Sequence, residues 1–306
     1  MERKEIPVFF AVDDNYIPFL AVTIKSLIAN SSKENNYALK ILYTKIGEEN
    51  QKKIKKYEQE NISIEFMDVT EHVEKIMSKL YTRDYFSMTT YFRLFIPDLY
   101  PQYDKAIYID SDTVLKADIA EMYNIDIENY LIGAVQDGAV ASIEPLHAYV
   151  EKVVGVADYH NYFNAGVIIM NLKELRQHKF QEKFLYLLET VKFSVAQDQD
   201  YLNRICKGRV KNIGLEWNYM PVSNDEMSEE QIKLIHFNFA LKPWHCDGIL
   251  YQEYFWKYAE ETDFLDKIKE AKANYTEEDK LKDEEVNKAL IELAQKEADC
   301  VGDDRK

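Results

Sequence analysis

The feature that most constrains this chain is the alternation of short apolar runs with stretches whose apolar residues recur at helical spacing. Val8 to Val12 is such a run and ends at Asp13; Ile17, Leu20, Ala21, Ile24, Leu27 and Ile28 then recur along one helix face. Leu39 to Tyr43 reads as a second strand, Glu48 to Glu60 as a charged surface helix, Ile62 to Met67 as an alternating strand and Val73 to Leu80 as another helix. Alternation of this kind predicts a parallel α/β sheet. Further buried strands are expected at Ala106 to Ile109, Leu131 to Val135 and Gly166 to Met170, with helices at Lys173 to Thr190 and Asp198 to Cys206. The later strands, near Val210 to Leu215 and Lys233 to Phe237, follow less regularly and point to a mixed sheet.

A chain of 306 residues with 46% hydrophobic content buries a substantial core. Its 38 Lys plus Arg against 54 Asp plus Glu give a formal charge of −16, which disfavours a broad nucleic-acid or anionic-membrane surface. Cys206, Cys246 and Cys300 are odd in number and far apart, so neither a disulfide framework nor a cysteine zinc site is indicated, and a reducing compartment fits. The N-terminal apolar run is broken by Asp13 and Asp14 before it can serve as a secretory core, and Ala165 to Met170 is far short of the roughly 20 residues that cross a bilayer. A soluble, cytoplasmic protein is expected. Only 9 glycines occur, and no early strand-to-helix turn carries Gly-x-Gly-x-x-Gly or a P-loop, so phosphates must be met by a metal and side chains.

The sharpest local feature is IYIDSDTVL, an apolar strand delivering Asp110, Ser111 and Asp112. Residues i and i+2 of an extended segment share a face, so both carboxylates can point at one cation, and hard oxygen donors suit Mg²⁺ or Mn²⁺ held jointly with phosphates. An isolated Asp-x-Asp at a strand end is equally a plain turn. His236, near the end of the apolar run IKLIHF, adds a nitrogen donor that favours Mn²⁺; a satisfied structural histidine is its ordinary reading. Lys242, followed by Pro243 and Trp244, lies within reach of the same phosphates. Asp13, Asp14, Asn15 and Tyr16 stand where the first strand meets its helix; helix capping explains at least one of them, and base recognition is open to the rest. Asn164 and Gly166 open a buried strand, and Asp198, Gln199 and Asp200 open a helix with more polar groups than capping needs.

With AVDDNY, TTYFRL, YIDSD, FNAGVIIMNL, DQDYLN and HFNFALKPWH in this order, the chain resembles glycosyltransferase family 8 from about Ile6 to about Asp247. That family includes bacterial lipopolysaccharide galactosyl- and glucosyltransferases and glycogenin. The resemblance implies a GT-A type fold, a Rossmann-like mixed sheet flanked by helices with a helical C-terminal tail. Residues 1–250 would form the catalytic domain and 251–306 a charged helical extension. It implies a retaining hexosyltransferase that moves galactose or glucose from UDP-galactose or UDP-glucose to a glycan, glycolipid or glycoprotein hydroxyl, with Mn²⁺ (or Mg²⁺) as metal. By matching motif positions, Asp110, Asp112 and His236 would ligate the metal. Ala11, Asp13, Asn15 and Tyr16 would hold the uridine, with Tyr16 stacked on uracil. Arg93, Ser111, Ala165 and Lys242 would line the donor site, Lys242 on the diphosphate. Asn164, Asp198, Gln199 and Asp137 would bind the hexose, with Gln199 and Asp198 as the catalytic pair.

This chain departs from the family where a glycine commonly precedes Lys-Pro-Trp: Phe239 stands there, which predicts a displaced loop or shifted phosphates. Two other readings remain. One is a non-catalytic nucleotide-sugar-binding protein; the other, a metal-dependent phosphohydrolase or nucleotidyltransferase, leaves the Lys-Pro-Trp and Asn-Ala-Gly segments unexplained. Acceptor contacts are expected from Gly138 to Tyr162 and from Ser223 to Glu230. The segment after Asp263, with Leu281, Ala289, Leu290, Leu293 and Ala294 among acids and lysines, reads as a solvated helix without catalytic consequence, and membrane attachment through it is not expected. The aromatic patch Tyr251, Tyr254, Phe255, Trp256 and Tyr258 reads as core packing.

Overall fold

The structure is a computed structural model that describes residues 3–74, 88–221 and 227–303. Its strands are β1 (Lys4–Ala11), β2 (Asn35–Tyr43), β3 (Ile62–Asp68), β4 (Ala106–Ile109), β5 (Thr113–Leu115), β6 (Ile132–Gln136), β7 (Phe163–Met170), β8 (Val210–Asn212) and β9 (Leu234–His236). Seven of them form one sheet in the order β3-β2-β1-β4-β7-β6-β8, and β5 and β9 make a separate antiparallel pair. β1 to β4 run parallel, and β6 runs parallel to β8, but β7 lies antiparallel to both β4 and β6.

The single reversed strand positions the site. Ligands of open α/β sheets collect at the carboxyl ends of parallel strands. Reversal of β7 brings its amino end to that same edge: Ile109 pairs with Val167, the Asp110 N–H donates to the Gly166 carbonyl at 2.7 Å, and Gln136 pairs with Phe163. The polar residues that follow β4 and β6 therefore meet those that begin β7.

Side chains alternate across the sheet with the period of two that a strand imposes. Val8, Phe10, Ile107, Ile109, Val167 and Ile169 join one core, with Ile17, Leu20 and Ile24 of the helix Ile17–Asn30 packed on them. Phe9, Ala106, Tyr108, Ile168 and Met170 join the other, under the helix Gln197–Cys206. Burial on both faces explains why these strands read as unbroken apolar runs.

Boundaries differ from expectation in identifiable ways. The surface helix spans Glu48–Lys55 and stops before Tyr57, which turns into the core. β7 begins at Phe163 because Phe163, Asn164 and Ala165 are buried with the rest of it. The helix expected over Lys173 to Thr190 is two, Leu172–Gln177 and Phe180–Thr190, separated at Lys179, whose φ of 57° is left-handed. Of the helix expected from Val73, Thr70–Val73 is helical and residues 75–80 lie outside the described residues, as do residues 223–226 of the expected acceptor region.

After β9 the chain forms helices Gln252–Ala259, Leu265–Asn274 and Glu277–Asp303. Phe255 and Tyr258 are buried, and the Phe255 ring lies 4.9 Å from that of Trp244, so the aromatic patch does pack into the core. Among the described residues no helix is long and apolar enough to cross a membrane. The last helix departs most from expectation. Ala294 and Ala298 are fully buried, packed with Leu290 and Leu293 against the helix Glu144–Tyr149 and the turn Val150–Val154. A stripe of small residues lets one helix approach another closely, and the surrounding charges conceal that stripe in the sequence.

Candidate active site

Asp110 follows β4, Asp112 precedes β5, and His236 ends β9 opposite Thr113. One ligand atom from each of these three lies within 4.8 Å of the others, as the i, i+2 spacing of the two acids predicted. Gly166 of β7 passes directly beneath them, where a Cβ would strike both the His236 ring and the Asp110 carboxylate. Only glycine leaves room for the cluster at that point.

The donor set fits a divalent cation. His236 Nε2 stands 3.2 Å from Asp112 Oδ1 and 4.0 Å from Asp110 Oδ2, and Asp112 Oδ1 is a buried oxygen that accepts no hydrogen bond. Two carboxylates are hard donors suited to Mn²⁺ or Mg²⁺, and the imidazole is a borderline donor that Mn²⁺ accepts more readily than Mg²⁺. Burial opposes the charge on Asp112, but the Lys242 ammonium, bonded to Asp112 Oδ2, overcomes it and holds the carboxyl well below the usual range. Lys242 is itself buried; burial works against its charge, and Asp112 more than restores it. It also donates to the Phe237 carbonyl at 3.0 Å.

Arg93 joins this cluster to a second group of acids. Its Nη2 lies 3.0 Å from Asp110 Oδ1, its Nη1 donates to the Ala165 carbonyl at 2.6 Å, and its Nε lies 3.1 Å from Asp198 Oδ2. The Nε hydrogen points to the Thr90 carbonyl at 2.9 Å, so Asp198 Oδ2 is ion-paired yet accepts no hydrogen bond. Burial pushes the Asp198 carboxyl up to about 6, against the pull of Arg93. Beside it, Gln199 is held from three sides. Its Oε1 accepts from the Ala165 N–H at 2.9 Å, while its Nε2 donates to Asp137 Oδ2 at 3.0 Å and to the Tyr162 hydroxyl at 3.3 Å. Asp137 Oδ2 also accepts from Asn164 Nδ2 at 3.1 Å.

Ala11 and Tyr16 line the same pocket with Arg93, Asp110, Ser111, Asp112, Asp137, Asn164, Ala165, Asp198, Gln199, His236 and Lys242. Asp13 and Asn15 are not brought into that lining. Asp13 Oδ1 instead accepts the N–H groups of Asn15 and Tyr16 at 2.9 and 3.2 Å, a turn cap that fixes where Tyr16 stands. Phe239 adopts φ 56°, the left-handed backbone that a glycine there would adopt, and its side chain lines the pocket. Trp244 anchors the loop by stacking on Phe19 of the first helix, ring centroids 3.9 Å apart.

A family model described as Glycosyl transferase family 8 matches residues 7–248. The chain belongs to that family. It is 33% identical over 247 residues to a Haemophilus influenzae protein named "Putative glycosyltransferase", covering 78% of this chain and 72% of the relative. It is 28% identical over 266 residues to the lipopolysaccharide 1,2-glucosyltransferase of Escherichia coli, covering 78% and 72%. The galactosyltransferase LgtC, solved with donor and acceptor sugar analogues, superposes with a TM-score of 0.71 at 26% identity, covering 84% of this chain and 96% of that one. The bifunctional glycosyltransferase WbbM gives 0.78 at 27% identity; this chain aligns over 90% of its length and spans about half of that protein, 53%. The seven-stranded mixed sheet with its flanking helices is thus the GT-A fold, in a glycosyltransferase of family 8.

Several pocket residues of this family 8 enzyme escaped the sequence reading. Tyr108 donates its hydroxyl to Asp110 Oδ1 at 2.8 Å, which its place two residues earlier on the strand foretells. Behind the pocket lining, Asn218 links Asn164 to His236, and Tyr162, the last residue of the expected acceptor stretch, bonds Gln199 and Asp200; a polar group beside buried apolar residues, as in LEWNY, is the signal that a buried partner is needed. The opposite wall is apolar, formed by Val140, Leu146, Val150 and Val195 together with Asn287 and Leu290 of the C-terminal helix. That helix is tied down at both ends. Tyr275 stacks on His245 at 4.3 Å and donates to Asp283 at 2.6 Å, and toward the other end Ala294 and Ala298 are buried in the core.

Proposed function

We propose that this glycosyltransferase is a retaining hexosyltransferase that moves galactose or glucose from a UDP-sugar, bound with Mn²⁺, to a hydroxyl of a glycan acceptor. Residues 1–250 carry the chemistry, and 251–306 form an extension that completes the pocket. The observation that carries this reading is the convergence on one pocket of Asp110, Asp112 and His236 with the buried Lys242 ammonium on one side and Asp137, Asn164, Asp198 and Gln199 on the other. The first set suits a diphosphate and its cation, and the second suits sugar hydroxyls. Asp110, Asp112 and His236 would hold a divalent cation, which would supply charge neutralisation at a departing diphosphate. Lys242 adds a second positive charge at that place. Tyr16 offers a ring for the base, Asp198 offers a carboxylate at the pocket wall to a hydroxyl, and Gln199, held by three bonds, presents an amide that is a poor nucleophile. Leaving-group stabilisation, with the acceptor entering on the side the diphosphate leaves, then accounts for retention. Relatives named as lipopolysaccharide glucosyl- and galactosyltransferases support a role in assembling a lipopolysaccharide-like surface glycan, a role we place in the cytoplasm.

Calorimetric titration of UDP, UDP-glucose and UDP-galactose, with Mn²⁺ and with EDTA, tests the reading on the native protein and on the Asp110→Ala, Asp112→Ala double variant. Binding should require Mn²⁺ and vanish in the variant. Failure of all three ligands to bind the folded native protein with Mn²⁺ present would overturn it.

A further inference from the structure

Asn218 is fully buried, one residue beyond the turn Leu215–Trp217, and its amide reaches both parts of the site. Oδ1 lies 2.8 Å from His236 Nδ1, and Nδ2 lies 2.9 Å from Asn164 Oδ1. A backbone group sets the direction of both bonds. The Gly166 N–H donates to Asn164 at 3.0 Å, so the atom it meets is the Asn164 oxygen; at the other end the Asn164 nitrogen donates to the Asp137 carboxylate. Whatever Asn218 presents to that oxygen must be a donor, which is its Nδ2. Its oxygen therefore faces His236, and Nδ1 must carry the proton that it accepts. A neutral imidazole has one N–H, so Nε2 keeps its lone pair, facing Asp112 Oδ1 at 3.2 Å with no hydrogen between them.

We infer that Asn218 is a positioning residue with two tasks. It fixes His236 in the Nδ1–H tautomer that leaves Nε2 for a divalent cation, and through Asn164 it ties that ligand to the residues proposed to bind the hexose. The inference rests on the metal and sugar assignments of the proposed function. Hydrogen-bond partners of this kind orient a ligating histidine and raise its basicity, and their loss typically weakens metal binding by about 10- to 100-fold. The two tasks separate chemically. Asn218→Ala removes both bonds. Asn218→Asp still accepts from His236 Nδ1 but sets a carboxylate oxygen against Asn164 Oδ1, so it spares the metal and disturbs the sugar.

The test is Mn²⁺ affinity by electron paramagnetic resonance, with UDP and with a UDP-hexose, together with the His236 tautomer read from two-bond ¹H–¹⁵N spectra of the metal-free native protein. Expected are an Nδ1–H tautomer in the native protein, a roughly 10-fold or greater loss of Mn²⁺ affinity in Asn218→Ala, and near-native Mn²⁺ affinity in Asn218→Asp with a weakened preference for UDP-hexose over UDP. An Nε2–H tautomer in the native protein overturns the inference, as does native Mn²⁺ affinity in Asn218→Ala. A native protein that binds no Mn²⁺ even with UDP overturns this inference and the proposed function together, whereas failure of the Asn218 variants alone to differ leaves the proposed function standing. Should Asn218→Ala not fold, the native tautomer and Asn218→Asp still decide the matter.

Discussion

The floor of the pocket and its far wall are built in opposite ways. On the floor, at the carboxyl edge of the sheet, Asp110, Asp112, Asp137, Asn164, Gln199, His236 and Lys242 each have a named partner at a fixed distance. On the wall, Val140, Leu146, Val150, Val195 and Leu290 offer hydrocarbon and little direction. Burial of apolar surface contributes about 25 cal/mol per Å² wherever it occurs, but it does not orient a reacting atom. Oriented hydrogen bonds and ion pairs do that, and in a water-poor site they count for more. The floor is therefore where chemistry is decided, while the wall bears on which molecule fits beside it.

The largest effect should follow from a change on the floor that leaves the shape almost unaltered. Asp112→Asn removes one carboxylate from the cluster and leaves the buried Lys242 without its counter-charge. We expect kcat/KM for sugar transfer to fall by about 10³-fold or more, measured by UDP release. Activity within about 10-fold of native would mean that the cluster is structural and that the distinction between floor and wall is misplaced.

A change on the wall should behave differently. Leu290→Asp sets a carboxylate among apolar side chains at the pocket edge. Mn²⁺-dependent UDP affinity should stay within about 3-fold of native while transfer to acceptor falls by about 10-fold, in line with about 1–3 kcal/mol for an ill-matched polar group. Equal losses in both would show that the C-terminal helix serves the donor site as well.

The same division governs what the sequence revealed. YIDSD, FNAGV and DQDYLN stood out because each needs particular polar types at fixed spacing beside a buried strand, and the reversed β7 brings them together. Reversal itself was not legible: the irregular later strands that suggested a mixed sheet became β8, parallel to β6, and β9, which pairs outside the sheet, while an all-apolar strand such as β7 reads alike in either direction. Asn218 was hidden because its partners, Asn164 and His236, lie 54 and 18 residues away in sequence. The C-terminal helix was misread because burial of Ala294 and Ala298 depends on close approach to another helix, and alanines among charges carry no such signal by themselves. Phe239 was read as a departure from the family, and it holds the left-handed backbone that a non-glycine residue keeps only when its neighbours over-determine it.

The pH dependence sharpens the floor further. Asp198, pushed up to about 6 by burial, binds its proton more readily folded than unfolded, where a value near 3.9 is usual. Its contribution to stability is therefore greatest below about pH 4 and is lost as pH rises through about 6. Asp200, also raised to about 6 by burial, acts in the same sense. Asp198→Asn should flatten part of this decline in chemical denaturation measured from pH 4 to 7, with Asp200 supplying the remainder. The native enzyme should also lose kcat/KM as pH falls through about 6, because on the proposed function the ionised Asp198 carboxylate is the form that accepts a sugar hydroxyl. That acid limb should be absent or displaced in Asp198→Asn, and an unchanged limb would assign it to another group.

The smallest effect is expected at Phe239, where floor and wall meet in the loop that carries Lys242. Left-handed backbone costs a non-glycine residue roughly 1–2 kcal/mol. Phe239→Gly removes that cost, but it also removes a partly buried ring and adds about 0.4–1 kcal/mol of unfolded-chain freedom, so stability should change by no more than about 1 kcal/mol. Phe239→Ala keeps the strained backbone and loses the ring, so it should be the less stable of the two by about 1 kcal/mol. Thermal unfolding of both variants decides between them, and Mn²⁺-dependent UDP titration reads the floor alongside. If the glycine variant matches native stability and UDP affinity yet transfers sugar less efficiently, the ring belongs to the wall. A glycine variant less stable than the alanine one would instead show that the left-handed backbone costs less here than the chain freedom that glycine adds, leaving the ring to be read from Phe239→Ala against native.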